Sequence, residues 1–337
     1  MDQPLRGALL RLEFDRRSVI HMQTGSNAQP ILVTGAHRSG TTWAGKMLAG
    51  SQVAYISEPL NVLHRPGVLR AKVNRWYQYI CDDNEAEYLT AFEELLDYRY
   101  HTWSEIKSLR SLKDFLRMGR DFKIFYDALE HGQRALLKDP FAVFSIPWFV
   151  KRFDFKVVVT VRHPAAFASS LKRLGWNFDF NDLLDQPLLM RDHLKQYRGQ
   201  MQAVKADDVI GQASLLWTMI YKTVHSLLRH AQGSEGQLDR RLVIVRHEDL
   251  SRDPVSGFRD LYAALGLDFT SHAEDKILNS SSSENPTELS RRKTHSVKMD
   301  SRASIETWKT KLSVDEIQHI RDMTEESARL FYPDLNW

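Results

Sequence analysis

Residues 30–43 read Pro30-Ile31-Leu32-Val33-Thr34, then Gly35-Ala36-His37-Arg38-Ser39-Gly40-Thr41-Thr42-Trp43. The first five residues form a short, branched apolar run closed by glycine, which predicts a buried strand over Pro30–Thr34. A helical pattern, Thr42–Ala49, follows. A strand, a glycine-containing loop and a helix in that order cradle phosphate, because loop N–H groups point inward and the helix N-terminus adds positive potential. Ser39, Thr41 and Thr42 supply hydroxyl donors to such a loop. Gly35 and Gly40 have the spacing of the nucleotide-triphosphatase loop, but Thr41 stands where that loop carries lysine. A triphosphate site needs the lysine, so the loop argues against ATP or GTP chemistry. Its cation is Arg38, two residues before Gly40, within reach of one phosphate and of a group transferred from it.

Working outward, three more apolar runs predict strands at Arg134–Leu137, Lys156–Val161 and Arg241–Val245, with a weaker one at Gln52–Ile56. Helical patterns at Ala165–Leu174 and Pro254–Leu265 follow two of them. The alternation predicts an α/β fold: a central parallel sheet flanked by helices, P-loop-NTPase-like, with helical cap insertions at 66–132 and 177–206. The whole chain, 1–337, reads as one domain with a core over roughly 30–312. Ligands of such sheets bind beyond the carboxyl ends of the strands. The Ser-rich, basic stretch 279–304 is expected to be a loop, either solvated or closing over an anionic ligand.

The strand Lys156–Val161 runs into Arg162-His163-Pro164, and Ser170 lies eight residues after Arg162. The guanidinium can fork onto a phosphate, and the serine, two helical turns on, can donate to the same group. Paired with the first loop, this gives two strand-end anion sites, one for a 5′-phosphate and one for a separate 3′-phosphate.

Lysine and arginine exceed aspartate and glutamate by 46 to 43, a formal charge of +3 that gives no ground for nucleic-acid binding. Cys81 is the only cysteine, so neither an intramolecular disulfide nor a cysteine metal cluster can form. No run of 18 apolar residues occurs, and Met1–Ala28 has no signal-peptide pattern. The expectation is a cytoplasmic protein with no integral membrane segment; the oligomeric state is left open.

Arg38-Ser39-Gly40-Thr41-Thr42-Trp43 resembles the 5′-phosphosulfate loop of sulfotransferases that use 3′-phosphoadenosine 5′-phosphosulfate (PAPS), and Arg162-His163-Pro164 through Ser170 resembles their 3′-phosphate motif. Arg246-His247-Glu248-Asp249-Leu250 and Trp308-Lys309 are similar to later segments of the family. The pattern is closest to its soluble bacterial branch. The resemblance implies PAPS as co-substrate, 3′-phosphoadenosine 5′-phosphate (PAP) as product, and no metal. It places His37, Arg38, Ser39, Gly40, Thr41 and Thr42 around the 5′-phosphate and Trp43 and His247 near adenine. Arg162, Ser170 and Arg302 would hold the 3′-phosphate, although the glycines usual around the last are missing from Ser301-Arg302-Ala303-Ser304.

Sulfuryl transfer leaves charge on the departing oxygen, which Arg38 can stabilise, and it needs a base for the acceptor. Glu58, 20 residues after Arg38 and closing the weak strand, is the first candidate, with His64, His101 and Asp139 as rivals. Lys138, at the end of its own strand, is placed with the sulfuryl group or acceptor. The resulting expectation is transfer to a hydroxyl or amine of a small molecule or glycan. Aromatic cap residues such as Trp76 and Trp176 suit a carbohydrate or glycolipid. A P-loop small-molecule kinase and a catalytically inactive nucleotide-binding scaffold are the alternatives.

Overall fold

The computed structural model describes residues 29–63, 65–233, 240–287 and 297–337. Five strands, β1 (Ile31–Gly35), β2 (Val53–Ser57), β3 (Arg134–Lys138), β4 (Lys156–Val161) and β5 (Leu242–Arg246), form one sheet. Their order is β2-β3-β1-β4-β5, and every pairing is parallel. A parallel sheet is covered on both faces, which explains why its strands read as unbroken Val, Ile and Leu runs instead of alternating. Every residue of β1 and β3 is buried.

Two apolar clusters sandwich the sheet. One gathers α5 (Ile146–Phe153), α6 (Pro164–Leu174) and the long helix Val209–Gly233, around Phe149, Phe167 and Trp217. The other sets α1 (Thr41–Leu48) and Pro254–Leu265 against Ile31, Val33 and Leu136, with Phe258 at its centre. β1 and β2 lie one residue later than the predicted runs, and α1 begins one residue earlier. At β1 and α1 the shifts come from the glycines. Gly35 continues the strand at φ 135°, and Gly40 turns into the helix at φ 98°. These are conformations that side chains rarely adopt.

The first cap segment departs from expectation. Residues 66–88 run through turns with one short 3₁₀ turn, and helix resumes only at α2 (Leu89–Leu96), α3 (Thr102–Ser108) and α4 (Leu112–Glu130). The aromatic residues explain the difference. Tyr77, Tyr79 and Tyr88 are core anchors, and non-helical backbone lets three such rings reach inward from one short segment. Residues 288–296 of the expected loop, with Arg291, Arg292 and Lys293, lie outside the described residues, as does His64.

Strand registry sets where function falls. Val33 and Ser57 both pair with Lys138, Gly35 pairs with Thr160, and Val161 pairs with Arg246. The next residues along each chain therefore emerge at one carboxyl edge: His37 and Arg38, Glu58, Asp139, Arg162, and His247.

Candidate active site

The phosphate loop is braced from below. A Cβ on Gly35 would sit 2.4 Å from the Thr160 carbonyl, so only glycine lets β1 pass that close to β4. The Ser39 hydroxyl lies 2.5 Å from the Ala36 carbonyl and 2.7 Å from Thr160 Oγ1. Ser39 is fully buried, so its hydroxyl ties the loop to the sheet and is not presented to a ligand. Tyr221 extends the brace: its hydroxyl donates to the Thr160 carbonyl at 2.8 Å and accepts from the Ala36 N–H at 3.3 Å.

The two anion motifs touch each other. Arg162 Nη1 donates to the Arg38 carbonyl at 3.1 Å, and Arg38 Nε donates to Ser170 Oγ at 3.2 Å. Arg38 itself has φ 68°, a left-handed backbone uncommon outside glycine. Its guanidinium lies 5.8 Å from the Trp176 ring centre, on the ring face. Burial, with Arg162 and Arg173 nearby, lowers the Arg38 pKa to about 10. Cations that destabilise one another in a buried pocket form a region of positive potential that an anion relieves.

Two cavities meet over this loop, and Arg38, Thr41 and Thr42 line both. The first also holds Gly40, Trp43, Arg162, His247, Ser251 and Ser280, with Val297, Met299 and Ser301 opposite. Three polar atoms here, Arg162 Nε, His247 Nε2 and Ser251 Oγ, are buried with no hydrogen-bond partner among the described residues. Buried polar groups seldom go unpaired, so these atoms match a ligand with several acceptors. The His247 pKa falls to about 3 through burial and then through Arg162 and Arg38. Trp43 meets His247 edge-to-face at 5.7 Å and donates from Nε1 to Ser280 Oγ at 3.0 Å. Gly40 is required at this point, because its Cβ would lie 2.6 Å from His247 Nδ1.

The second cavity, about 580 Å³, is bounded by His37, Glu58, Asn61, Trp76, Phe141 and Trp176 among others. That volume is of small-molecule size. Glu58 sits at its edge with φ 51°. Lys138 Nζ donates to Glu58 Oε1, and Asn61 Nδ2 donates to Oε2 at 2.8 Å. The His37 ring hydrogen-bonds the buried Tyr77 hydroxyl at 2.7 Å, and burial, then Arg38, brings its pKa to about 4. His37 thus faces the second cavity and not the first.

The expected site residues divide accordingly. Arg38, Gly40, Thr41, Thr42, Trp43, Arg162 and His247 line the first cavity, and Ser170 bonds to Arg38 beside it. Arg302 is exposed and donates to the Arg252 carbonyl at 2.7 Å, while its neighbour Ser301 faces the cavity. Asp139 is buried, with its carboxylate accepting from the Leu60 and Phe141 N–H groups at 2.6 and 2.9 Å. It holds backbone at the strand end. His101 pairs with Glu94 at 3.1 Å, away from both cavities. Sequence reasoning missed Asn61, Ser251, Ser280 and Met299. None belongs to a motif, and each arrives only through packing.

Fold and site together define a phosphate-loop α/β protein with an anion-binding cavity joined to an acceptor-sized one. The chain belongs to the sulfotransferase domain family, whose model matches residues 28–331. Carbohydrate sulfotransferase 1 of Danio rerio is 31% identical over 85 residues, 25% of this chain and 20% of that protein, so the match spans a fifth of the relative's length. Similar solved structures include the sulfotransferase domain of the curacin biosynthetic pathway (17% identity, 88% of this chain and 98% of that one, TM-score 0.42). A Mycobacterium avium sulfotransferase (14%, 93% and 78%, TM-score 0.43) and a mouse sulfotransferase complexed with PAP (14%, 92% and 87%, TM-score 0.39) are also similar.

Proposed function

We propose that the protein transfers a sulfuryl group from PAPS to a hydroxyl or amine acceptor held in the 580 Å³ cavity. The observation that carries this reading is the position of Arg38, which belongs to the phosphate loop, lines both cavities and is hydrogen-bonded to Arg162 and Ser170 of the second anion motif. Thr41, Thr42 and the N-terminus of α1 would hold the 5′-phosphate, with Arg162 and Ser170 on the 3′-phosphate. The buried Arg162 Nε and His247 Nε2 fit a nucleotide bisphosphate, which supplies acceptors for both.

When bound, PAPS supplies an activated sulfuryl group on a phosphate leaving group. Glu58 takes the proton released by the acceptor as the new oxygen–sulfur (or nitrogen–sulfur) bond forms and the old sulfur–oxygen bond breaks. Asn61 and Lys138 orient the carboxylate. Arg38 stabilises the negative charge left on the departing oxygen. Trp76 and Trp176 on the cavity wall support a sugar acceptor, and a carbohydrate or glycolipid is the acceptor class we favour.

Calorimetric titration with PAP, using 5′-AMP and ATP·Mg as controls, tests the donor assignment. Tight binding that depends on the 3′-phosphate is the expected result. Binding of ATP·Mg without PAP would overturn it and favour a kinase.

A further inference from the structure

Glu248 is a buried carboxylate with no part in the proposed chemistry. It follows His247 just beyond β5, and each of its oxygens reaches a distant part of the chain. Oε1 accepts from the His163 backbone N–H at 2.9 Å, and Oε2 accepts from the Tyr332 hydroxyl at 2.7 Å. One side chain thus ties together the end of β4, the end of β5 and the segment 332–337. An apolar contact would join the same elements without the desolvation cost of a carboxylate, so the choice of glutamate here asks for a reason beyond stability.

The same segment holds His163 a second time. The His163 ring stacks on Trp308, with centres 4.9 Å and planes 9° apart, and Trp337 meets it edge-to-face at 5.0 Å. Its Nδ1 accepts from the Ala165 N–H at 3.2 Å, capping the start of α6. Nδ1 is therefore the unprotonated nitrogen, and Nε2 donates to the Asn336 carbonyl at 3.1 Å. His163 stands between Arg162, which lines the first cavity, and the helix that carries Ser170. Both groups assigned to the 3′-phosphate therefore hang from backbone that Glu248, Tyr332 and Asn336 fix in place. Burial lowers the Arg162 pKa, and Glu248 is the first group to oppose that shift, so the carboxylate also favours a charged guanidinium. The phosphate loop rests on other contacts, with Ser39 on Ala36 and Thr160 and Tyr221 behind.

We infer that Glu248 and Tyr332 are positioning residues for the 3′-phosphate end of the first cavity, and that segment 332–337 is a latch whose packing is coupled to occupancy of that end. The inference rests on the PAPS reading of the cavity. Such coupling is reciprocal: if the latch tightens the grip on the 3′-phosphate, the 3′-phosphate tightens the latch by the same free energy.

Tyr332→Phe keeps the ring and removes the hydroxyl that meets Glu248. It should weaken PAP roughly tenfold, the effect of losing one hydrogen bond to a charged group, and leave 5′-AMP within about threefold. Trp337→Ala, at a half-buried position, removes the edge contact with His163 and should act in the same direction. Calorimetry on the full chain measures both nucleotides. Hydrogen exchange over residues 329–337 supplies a readout that a purely structural contact would not move. PAP should slow exchange there in the unsubstituted protein, 5′-AMP should not, and Tyr332→Phe should shrink the effect of PAP. Unchanged PAP affinity in either variant, equal losses for PAP and 5′-AMP, or exchange that PAP leaves unaltered would each overturn the inference. A different result, no PAP binding by the unsubstituted protein, would remove the donor reading itself and this inference with it.

Discussion

Glu58 and Lys138 are bound to each other twice: the lysine ammonium donates to Glu58 Oε1, and the Glu58 N–H donates to the Lys138 carbonyl at 2.7 Å. The β2–β3 register makes this pair, because Ser57 stands opposite Lys138 and the next residue must turn across the strand end. Glu58 does so with a left-handed backbone at φ 51°, a conformation that costs a non-glycine residue about 1 kcal/mol or more. Strain of this kind gathers at functional sites.

Glu58→Gln should therefore leave PAP affinity within about threefold while slowing transfer by roughly 10²–10⁴, the range for losing a general base. Single-turnover rates beside calorimetric PAP titrations separate the two effects. A collapse of PAP binding would instead make Glu58 a brace for the phosphate loop.

Arg38→Ala should abolish measurable transfer and keep the fold, since the guanidinium lines cavities and not the core. Thermal unfolding checks the fold and PAPS turnover checks the role. Undiminished turnover would remove Arg38 from the chemistry.

Ser170→Ala and Arg162→Ala should weaken PAP by roughly ten- to a hundredfold, the value of hydrogen bonds to a charged group. Binding of 5′-AMP, which lacks the 3′-phosphate, should change little. Equal losses for both nucleotides would mean that these residues shape the loop through the contact with Arg38 and do not hold the 3′-phosphate.

Stability should fall in mild acid. Burial lowers His37 and His163 to about 4 and His247 to about 3. Below the ordinary imidazole value of 6.5, the unfolded chain therefore binds more protons than the folded one, and stability drops with pH. Asp139 acts in the opposite sense: burial raises it to about 7, so between pH 4 and 7 its folded carboxyl holds the extra proton. The lowered His101 and His193 act with the three histidines and the raised Asp182 acts with Asp139, so the histidines outnumber the aspartates and stability falls as pH drops from 7 toward 5. Denaturant midpoints between pH 7 and 5 measure the slope, and a flat profile would contradict it.

The β-branched runs, the glycine pair and the strand-end cations Arg38 and Arg162 were legible in the sequence because each is a local signal. Strand period, left-handed turn positions and strand-end cations depend on residues within a few places of one another. They placed five strands to within one residue and named most of the residues that line the first cavity. Tertiary packing alone decided the rest. Ser39, read as a phosphate donor, donates instead to the Ala36 carbonyl and hydrogen-bonds the Thr160 hydroxyl, because β4 runs close enough for Thr160 to meet it. Arg302 turns to the Arg252 carbonyl, and Ser301 takes its place at the cavity. Arg38 and Arg162 are 124 residues apart, yet one guanidinium grips the other's backbone. That contact exists because β1 and β4 are neighbours in the sheet, and strand order comes from the burial of whole surfaces, which no short segment records.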